Sequence, residues 1–260
     1  MNASTIQFTN GATYERYMGR WSQLAGEAFI NWLAPQAGMR WLDVGCGNGA
    51  FTELIVERCA PQFIHGIDPS EAQIDYARTR LPLQLARFSK ADAMALPFEA
   101  ATFNVAVMPL VIFFLSKPGQ GVLEMKRVVR AGGVVSAYAW DMLGGGFPYA
   151  LLQTEICNMG IDIPTTPNPE ASRIDVLQKL WSEAGLRDIA TTEIVVQRTY
   201  TNFDDYWETV LGAPSVGPTL AAMSKSDEAA LKDRLRHQLS VGIDGQIICT
   251  ARANAIKGVV

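Results

Sequence analysis

The sequence predicts an α/β fold: a doubly wound, mostly parallel sheet of seven strands whose final strand runs antiparallel, with helical lid insertions at one edge. Three observations carry this prediction. Short apolar runs alternate with helix-length amphipathic segments through the first half of the chain, the pattern of repeated βα units. A glycine-rich stretch, GCGNG, breaks out of the first apolar run straight into a helical pattern. Two long strand-like stretches, residues 186–201 and 247–258, then flank a helical region near the end of the sequence.

Taken in order, residues 22–33 form an amphipathic helix stopped by Pro35 and Gly38, and residues 40–44 (RWLDV) a first strand. Residues 49–59 form a helix ended by Pro61, and 63–67 a second strand closing on Asp68-Pro69. Ser70 suits an N-cap for a helix over 70–80, which Pro82 terminates. Residues 85–89 are a third strand, 103–108 a buried fourth, 119–129 a helix, and 134–140 a fifth strand entered through a turn at Gly132-Gly133. Beyond it the periodicity weakens. Residues 144–169 hold three consecutive glycines and several prolines around one helical piece, 149–159. A helix over 174–184, the two long strands and a helical stretch over 203–242 complete the chain. One domain, 1–260, is expected, with a ligand-binding core at about 36–141 and insertions at about 142–170 and 202–242.

Composition narrows the function. With 48% hydrophobic and 18% charged residues the chain is too apolar to be disordered. A net charge of −4 without any basic cluster disfavours nucleic acid as a partner. The longest apolar run, residues 105–115, contains Pro109 and falls well short of the roughly 20 residues of a membrane span. Cys46, Cys59, Cys157 and Cys249 form no CxxC pair and no metal-ligand spacing with His65 or His237, so no metal is expected. Reduced thiols and an N-terminus without a signal-peptide pattern fit a cytoplasmic protein, a monomer or homodimer.

The chemistry concentrates in three acidic motifs. In Asp43-Val44-Gly45-Cys46-Gly47-Asn48-Gly49 the spacing is GxGxG, unlike the GxGxxG of nicotinamide and flavin dinucleotide sites. Asp43 would sit poorly beside a pyrophosphate and well beside an ammonium group, which argues against a nucleotide-dependent oxidoreductase. Asp68, 19 residues past Gly49, can accept hydrogen bonds from ribose hydroxyls, or complement a helix N-terminus. Asp92, after the third strand, can accept from an adenine amino group, or close an Asx turn. The N-terminal stretch around Tyr14, Arg20 and Trp21 can fold over a ligand, or pack as an amphipathic helix.

In this order the motifs LDVGCGNG, GIDPS, KADAMALPF, FNVAVMPLVIFFL and RVVRAGG resemble the class I S-adenosylmethionine-dependent methyltransferases, in particular the type 11 and ubiquinone/menaquinone subgroup. The resemblance covers about residues 41–140 and implies a Rossmann-like fold, S-adenosylmethionine as cofactor and a small-molecule methyl acceptor. It implies that Gly45, Cys46 and Gly47 line the methionine portion, Asp68 and Pro69 the ribose, and Ala91, Asp92 and Ala93 the adenine. Met108 and Pro109 would face the sulfonium end. Three departures stand out: Asn104 where relatives carry Asp, RVVRAGG for a Lys-Pro-Gly-Gly turn, and Phe113-Phe114 where relatives carry histidine. Phe113, Phe114, Trp140, Phe147 and Tyr149 would then form a dry acceptor pocket or simply core. No general base emerges: His65 reads as a strand residue, His237 as a solvated helix face, and Tyr138 and Asp141 are weaker candidates. An alternative is a protein that binds S-adenosylmethionine without transferring its methyl group.

Overall fold

The computed structural model describes residues 15–80, 85–213, 216–242 and 244–260. After one π turn, Glu15–Gly19, helix α1 (Arg20–Leu33) buries Trp21, Ala25, Gly26, Phe29, Ile30 and Leu33 along one face. It crosses α2 (Ala50–Cys59) at Gly26, where a Cβ would come within 3.0 Å of Phe51 and Leu54. Ala34, left-handed at φ 49°, ends α1 by donating its N–H to the Ile30 carbonyl.

The strands β1 (Arg40–Val44), β2 (Phe63–Asp68), β3 (Ala86–Lys90), β4 (Phe103–Pro109) and β5 (Val129–Trp140) are all parallel. They alternate with α2, α3 (Glu71–Arg80) and α4 (Pro118–Val128). Next come α5 (Ala150–Asn158), α6 (Ile174–Glu183), β6 (Arg187–Tyr200), α7 (Phe203–Leu211), α8 (Gly217–Ala222), α9 (Lys225–Gln238), β7 (Ser240–Val241) and β8 (Ile247–Val259). The sheet order is β3-β2-β1-β4-β5-β8-β6, with β7 paired to β8. β8 lies antiparallel between β5 and β6, as the sequence predicts for the final strand; two-residue β7 is an addition to the expected seven.

Chain order reverses between β1 and β4. At such a switch point the loops leaving the two strands diverge and open a crevice beyond their carboxyl ends. The β1–α2 turn and the loop after β4 flank that crevice.

One local reading differs from expectation. Gly132-Gly133 lies inside β5, not ahead of it: pairing jumps from Phe103↔Val129 to Val105↔Val134, so the glycines sit in a bulge. Gly132 has φ 75°, and a Cβ on Gly133 would strike the Asn104 carbonyl at 2.5 Å. The helical stretch expected over 203–242 is the three helices α7, α8 and α9, followed by β7. Asn202 caps α7 by accepting from the Asp205 N–H at 2.9 Å, and Ser224 caps α9 by accepting from Asp227 at 3.1 Å.

The two insertions pack on each other. Glu155 of α5, 5% exposed, accepts hydrogen bonds from Gln238 at 2.9 Å, Asn158 at 3.3 Å and Arg234 at 3.4 Å. The bond from Gln238, followed by those from Arg234 and Asn158, holds its carboxyl below the ordinary glutamate range. This ties α9 to α5.

Candidate functional site

The β1–α2 turn is built on hydrogen bonds that leave little for an anion. Gly45 and Cys46 both donate N–H to the Ile67 carbonyl at 2.8 Å, Gly47 donates to Asp68 Oδ2 at 3.0 Å, and Gly49 donates to the Cys46 carbonyl. Ala50 donates to Asn48 Oδ1 at 3.2 Å. Gly45, Gly47 and Gly49 have φ of 76°, 52° and 81°, a region closed to most side chains. Over Gly47 nothing lies within 4 Å of where a Cβ would stand, whereas at Gly45 a Cβ would meet Val111 Cγ2 at 2.4 Å.

Two carboxylates set the field of the turn. Asp43 is fully buried; Thr52 donates its hydroxyl to Oδ2 at 2.6 Å, while Oδ1 is buried with no hydrogen-bond partner. Burial pushes the Asp43 carboxyl up to about 7, Thr52 opposes that rise, and the charge of Asp68 adds to it. Asp68 ends β2 with Oδ1 accepting from Ser70 N–H at 2.9 Å and Oδ2 from Gly47. Its carboxyl is raised by burial, against the lowering effect of those two bonds. Asp68 thus serves the helix N-terminus and also links it to the glycine turn; each oxygen keeps further acceptor capacity.

The other expected ligand contacts divide by exposure. Pro69 is exposed and Ala91 half-buried, its N–H bonded to the Asp68 carbonyl, while Ala93 is buried. Asp92 is exposed and closes the Asx turn, accepting from Met94 N–H at 2.8 Å. The buried Cys46 thiol lies against Gly66 and donates to the Gly47 carbonyl at 3.7 Å; it is raised by burial and then by Asp43 and Asp68. Met108 and Pro109 are buried within β4, and Leu110 and Val111, which follow the strand, are half-buried. Leu110 takes φ 60°, a strained value for leucine, and donates its N–H to the Tyr138 carbonyl at 2.7 Å. Val111 carries no sequence signal; its place on Gly45 follows from the β1–β4 register.

The aromatic residues form two groups. Phe113 and Phe114 lie on the 3-10 turn Ile112–Phe114 with ring centres 4.7 Å apart, Phe113 buried and Phe114 half-buried. The Phe113 carbonyl accepts from Asn168 N–H at 3.0 Å, so the 144–169 insertion rests on this turn. The second group centres on Tyr149, whose hydroxyl donates to the Tyr17 carbonyl at 2.7 Å and accepts from Trp21 Nε1 at 3.2 Å. Tyr200 Oη is 3.1 Å away, and Trp140 meets Trp21 edge-on at 6.5 Å. Burial pushes the Tyr149 phenol far up, so it stays protonated. Trp21 and Tyr17 pack into the core, Arg20 is exposed and bonded to Gln23, and Tyr14 lies outside the described residues. Tyr149→Phe removes the hydroxyl that donates to the Tyr17 carbonyl and accepts from Trp21 Nε1, and is expected to destabilise the fold by about 1–3 kcal/mol. An unchanged melting temperature would refute that role.

The residues considered as bases are engaged elsewhere. His65 bonds Ser89 Oγ through Nε2 at 2.8 Å, and His237 is exposed on α9. Asp141 is ion-paired with Arg252, and Tyr138 is buried against Phe29 at 4.7 Å. Asn104 is structural: its Oδ1 accepts from Arg40 N–H at 2.8 Å, joining β4 to β1. Among the described residues no helix is long and apolar enough to cross a membrane, and no cluster of three or more metal-ligating side chains occurs.

The chain is similar to known proteins in both sequence and fold. Residues 42–137 match the family described as a methyltransferase domain. A ubiquinone/menaquinone biosynthesis C-methyltransferase of Roseobacter denitrificans is 32% identical over 121 residues, covering 45% of this chain and 48% of that protein. A 2-methyl-6-phytyl-1,4-hydroquinone methyltransferase of Oryza sativa is 31% identical over 60% of this chain and 41% of its own length. The chain thus spans about half the length of these relatives or less. Among solved structures, a phosphoethanolamine N-methyltransferase of Haemonchus contortus, in complex with S-adenosylhomocysteine and phosphomonomethylethanolamine, superposes with a TM-score of 0.60. It is 16% identical and covers 98% of this chain and 59% of its own. The YcgJ protein of Bacillus subtilis superposes at 0.56, with 15% identity, over 90% of this chain and 97% of its own.

Proposed function

We propose, for a chain whose residues 42–137 match a methyltransferase domain, that it is a class I S-adenosylmethionine-dependent enzyme that methylates a small, largely apolar molecule. The observation that carries this reading is the charge balance of the β1–α2 turn. Its N–H groups at Gly45, Cys46, Gly47 and Gly49 are committed within the protein, and its two acids, Asp43 and Asp68, make it a site for a cation. S-adenosylmethionine is the cofactor of this class, and when bound it supplies a methyl group activated on a sulfonium. The residues present fit it. Asp43 Oδ1 lacks a partner and suits an ammonium group, and the open face of Gly47 admits close backbone approach.

In this reading Asp43 and the Gly45–Gly47 backbone hold the methionine end, and the spare acceptor capacity of Asp68 takes the ribose. Leu110 and Val111 bound the crevice on the β4 side. Phe114 and Phe147, both half-buried, meet the acceptor, while Phe113, Trp140 and Tyr149 stiffen the wall behind them. With Tyr138, Asp141, His65 and His237 engaged, the protein contributes alignment and water exclusion, which can supply roughly 7–11 kcal/mol of barrier reduction. This favours acceptors that are nucleophilic without a base: amines, thiols and activated carbons.

The direct test follows S-adenosylhomocysteine release over a panel of amines, thiols, phenols and quinols. Calorimetry with S-adenosylmethionine, S-adenosylhomocysteine and a nicotinamide dinucleotide runs beside it. Tight binding of the sulfur compounds without release across the panel would favour a non-methylating binder. Asp68→Ala removes an acceptor from Gly47 and Ser70 and from the ribose, and is expected to weaken cofactor binding by about 10- to 100-fold. Unchanged affinity would refute the ribose assignment.

A further inference from the structure

The end of the sheet where the parallel strands begin, opposite the glycine turn, carries a cavity of different character. Arg40, Phe63 and Phe103 begin β1, β2 and β4, and with Arg87 of β3 they open onto a groove of about 560 Å³, lined also by His65 and Phe98. The length of β1 separates this groove from the turn by about 13 Å. The Arg40 and Arg87 guanidinium carbons lie over one ring, 6.0 and 5.6 Å from the centre of Phe63. Stacking on the ring positions both forks and leaves their N–H edges for another partner.

Charge makes the groove unusual in this chain. Among the described residues neither Arg40 nor Arg87 pairs with a carboxylate, whereas Arg58, Arg80, Arg127, Arg173 and Arg252 each do. The His65 ring lies edge-on to Phe98 at 4.8 Å and bonds Ser89; burial, then the charge of Arg87, lowers it to about 4, so it is neutral at pH 7. Two positive charges thus stand over an aromatic floor in a protein of net charge −4.

We propose that this groove is a second ligand site, for a small aromatic anion, with its carboxylate or phosphate across the forks of Arg40 and Arg87 and its ring against Phe98. Guanidinium forks match both oxyanions, and charge-assisted bonds of this kind are among the stronger ones in proteins. The site is separate from the methyl-transfer crevice and does not depend on that assignment.

The sequence holds only two histidines, so the imidazole resonances of the full chain give a local readout. Titration with phenyl phosphate and with benzoate at low salt is expected to shift the His65 ring protons and leave those of His237 in place. Inorganic phosphate, which lacks a ring, is expected to bind about tenfold more weakly than phenyl phosphate, and Arg40→Gln and Arg87→Gln each to weaken phenyl phosphate about tenfold. Both arginines are exposed, so these variants are expected to keep the wild-type circular dichroism spectrum. Excess S-adenosylmethionine is expected to leave the His65 shift unchanged. No shift of His65 up to about 10 mM ligand, equal binding by the arginine variants, equal binding of the two phosphates, or displacement by S-adenosylmethionine would each overturn the assignment.

Discussion

Gly45→Ala is expected to weaken S-adenosylmethionine binding by about 100-fold or more. The new Cβ would lie 2.4 and 2.8 Å from the two methyl carbons of Val111, on a backbone at φ 76°. The left-handed conformation costs an alanine roughly 1–2 kcal/mol, and overpacking adds roughly 1–3 kcal/mol. Valine has no flexible end to swing aside, so the turn itself must move, and with it the Gly47 N–H bonded to Asp68. Combining Gly45→Ala with Val111→Ala removes the clash and keeps the backbone strain, so binding should recover in part. Calorimetry on the three variants checks this. A Gly45→Ala protein that binds like wild type would show that the turn does not hold the cofactor.

The second large effect is on pH dependence. In the free protein Asp43 titrates near 7, well above its ordinary value of 3.8, chiefly because it is buried. A carboxyl that must be ionised to hold an ammonium group favours binding only above that point. Affinity for S-adenosylmethionine should therefore approach a tenfold fall per pH unit below 7, a change of about 50-fold between pH 7 and 5. Binding near neutral pH should release a proton, measurable by calorimetry in buffers of different ionisation enthalpy. Stability of the free protein responds in the same window with its own sign. The folded state keeps the Asp43 proton between pH 3.8 and about 7 while the unfolded chain loses it, so stability declines as pH rises through that range, by about 4 kcal/mol at most. Asp43→Asn should abolish both dependences; flat affinity between pH 5.5 and 8 in the wild type would falsify the assignment of Asp43 as the ammonium partner.

Much of the fold was legible because strands and helices impose different periods on the same chain. The β1 to β5 order, the GxGxG turn and the antiparallel last strand follow from apolar runs of strand length punctuated by Gly and Pro. The bulge in β5 was not legible, since Gly132-Gly133 has the composition of a turn whether it precedes a strand or interrupts one. The division of 203–242 was marked in principle by Asn202 and Ser224, each followed three residues later by an acid. In the site, Asp43, Gly45, Gly47 and Asp68 could be named from sequence because they lie close along two adjacent strand ends. Val111 and Thr52 could not. Val111 meets Gly45 only through strand pairing, and Thr52 reaches Asp43 only once α2 folds back along β1.

The placement of β8 between β5 and β6 bears on how the molecule assembles. Both flanking strands are synthesised before it, so they exist for a time as two unpaired rims with a slot between them. Until residues 247–259 arrive, β5 and β6 present free N–H and C=O rows to any passing chain. Docking this strand is a long-range event, intrinsically slow beside helix formation. The nascent protein therefore passes through a stage in which its parallel half can be ordered while the other half is adhesive. A chaperone requirement during expression would be a consequence of topology.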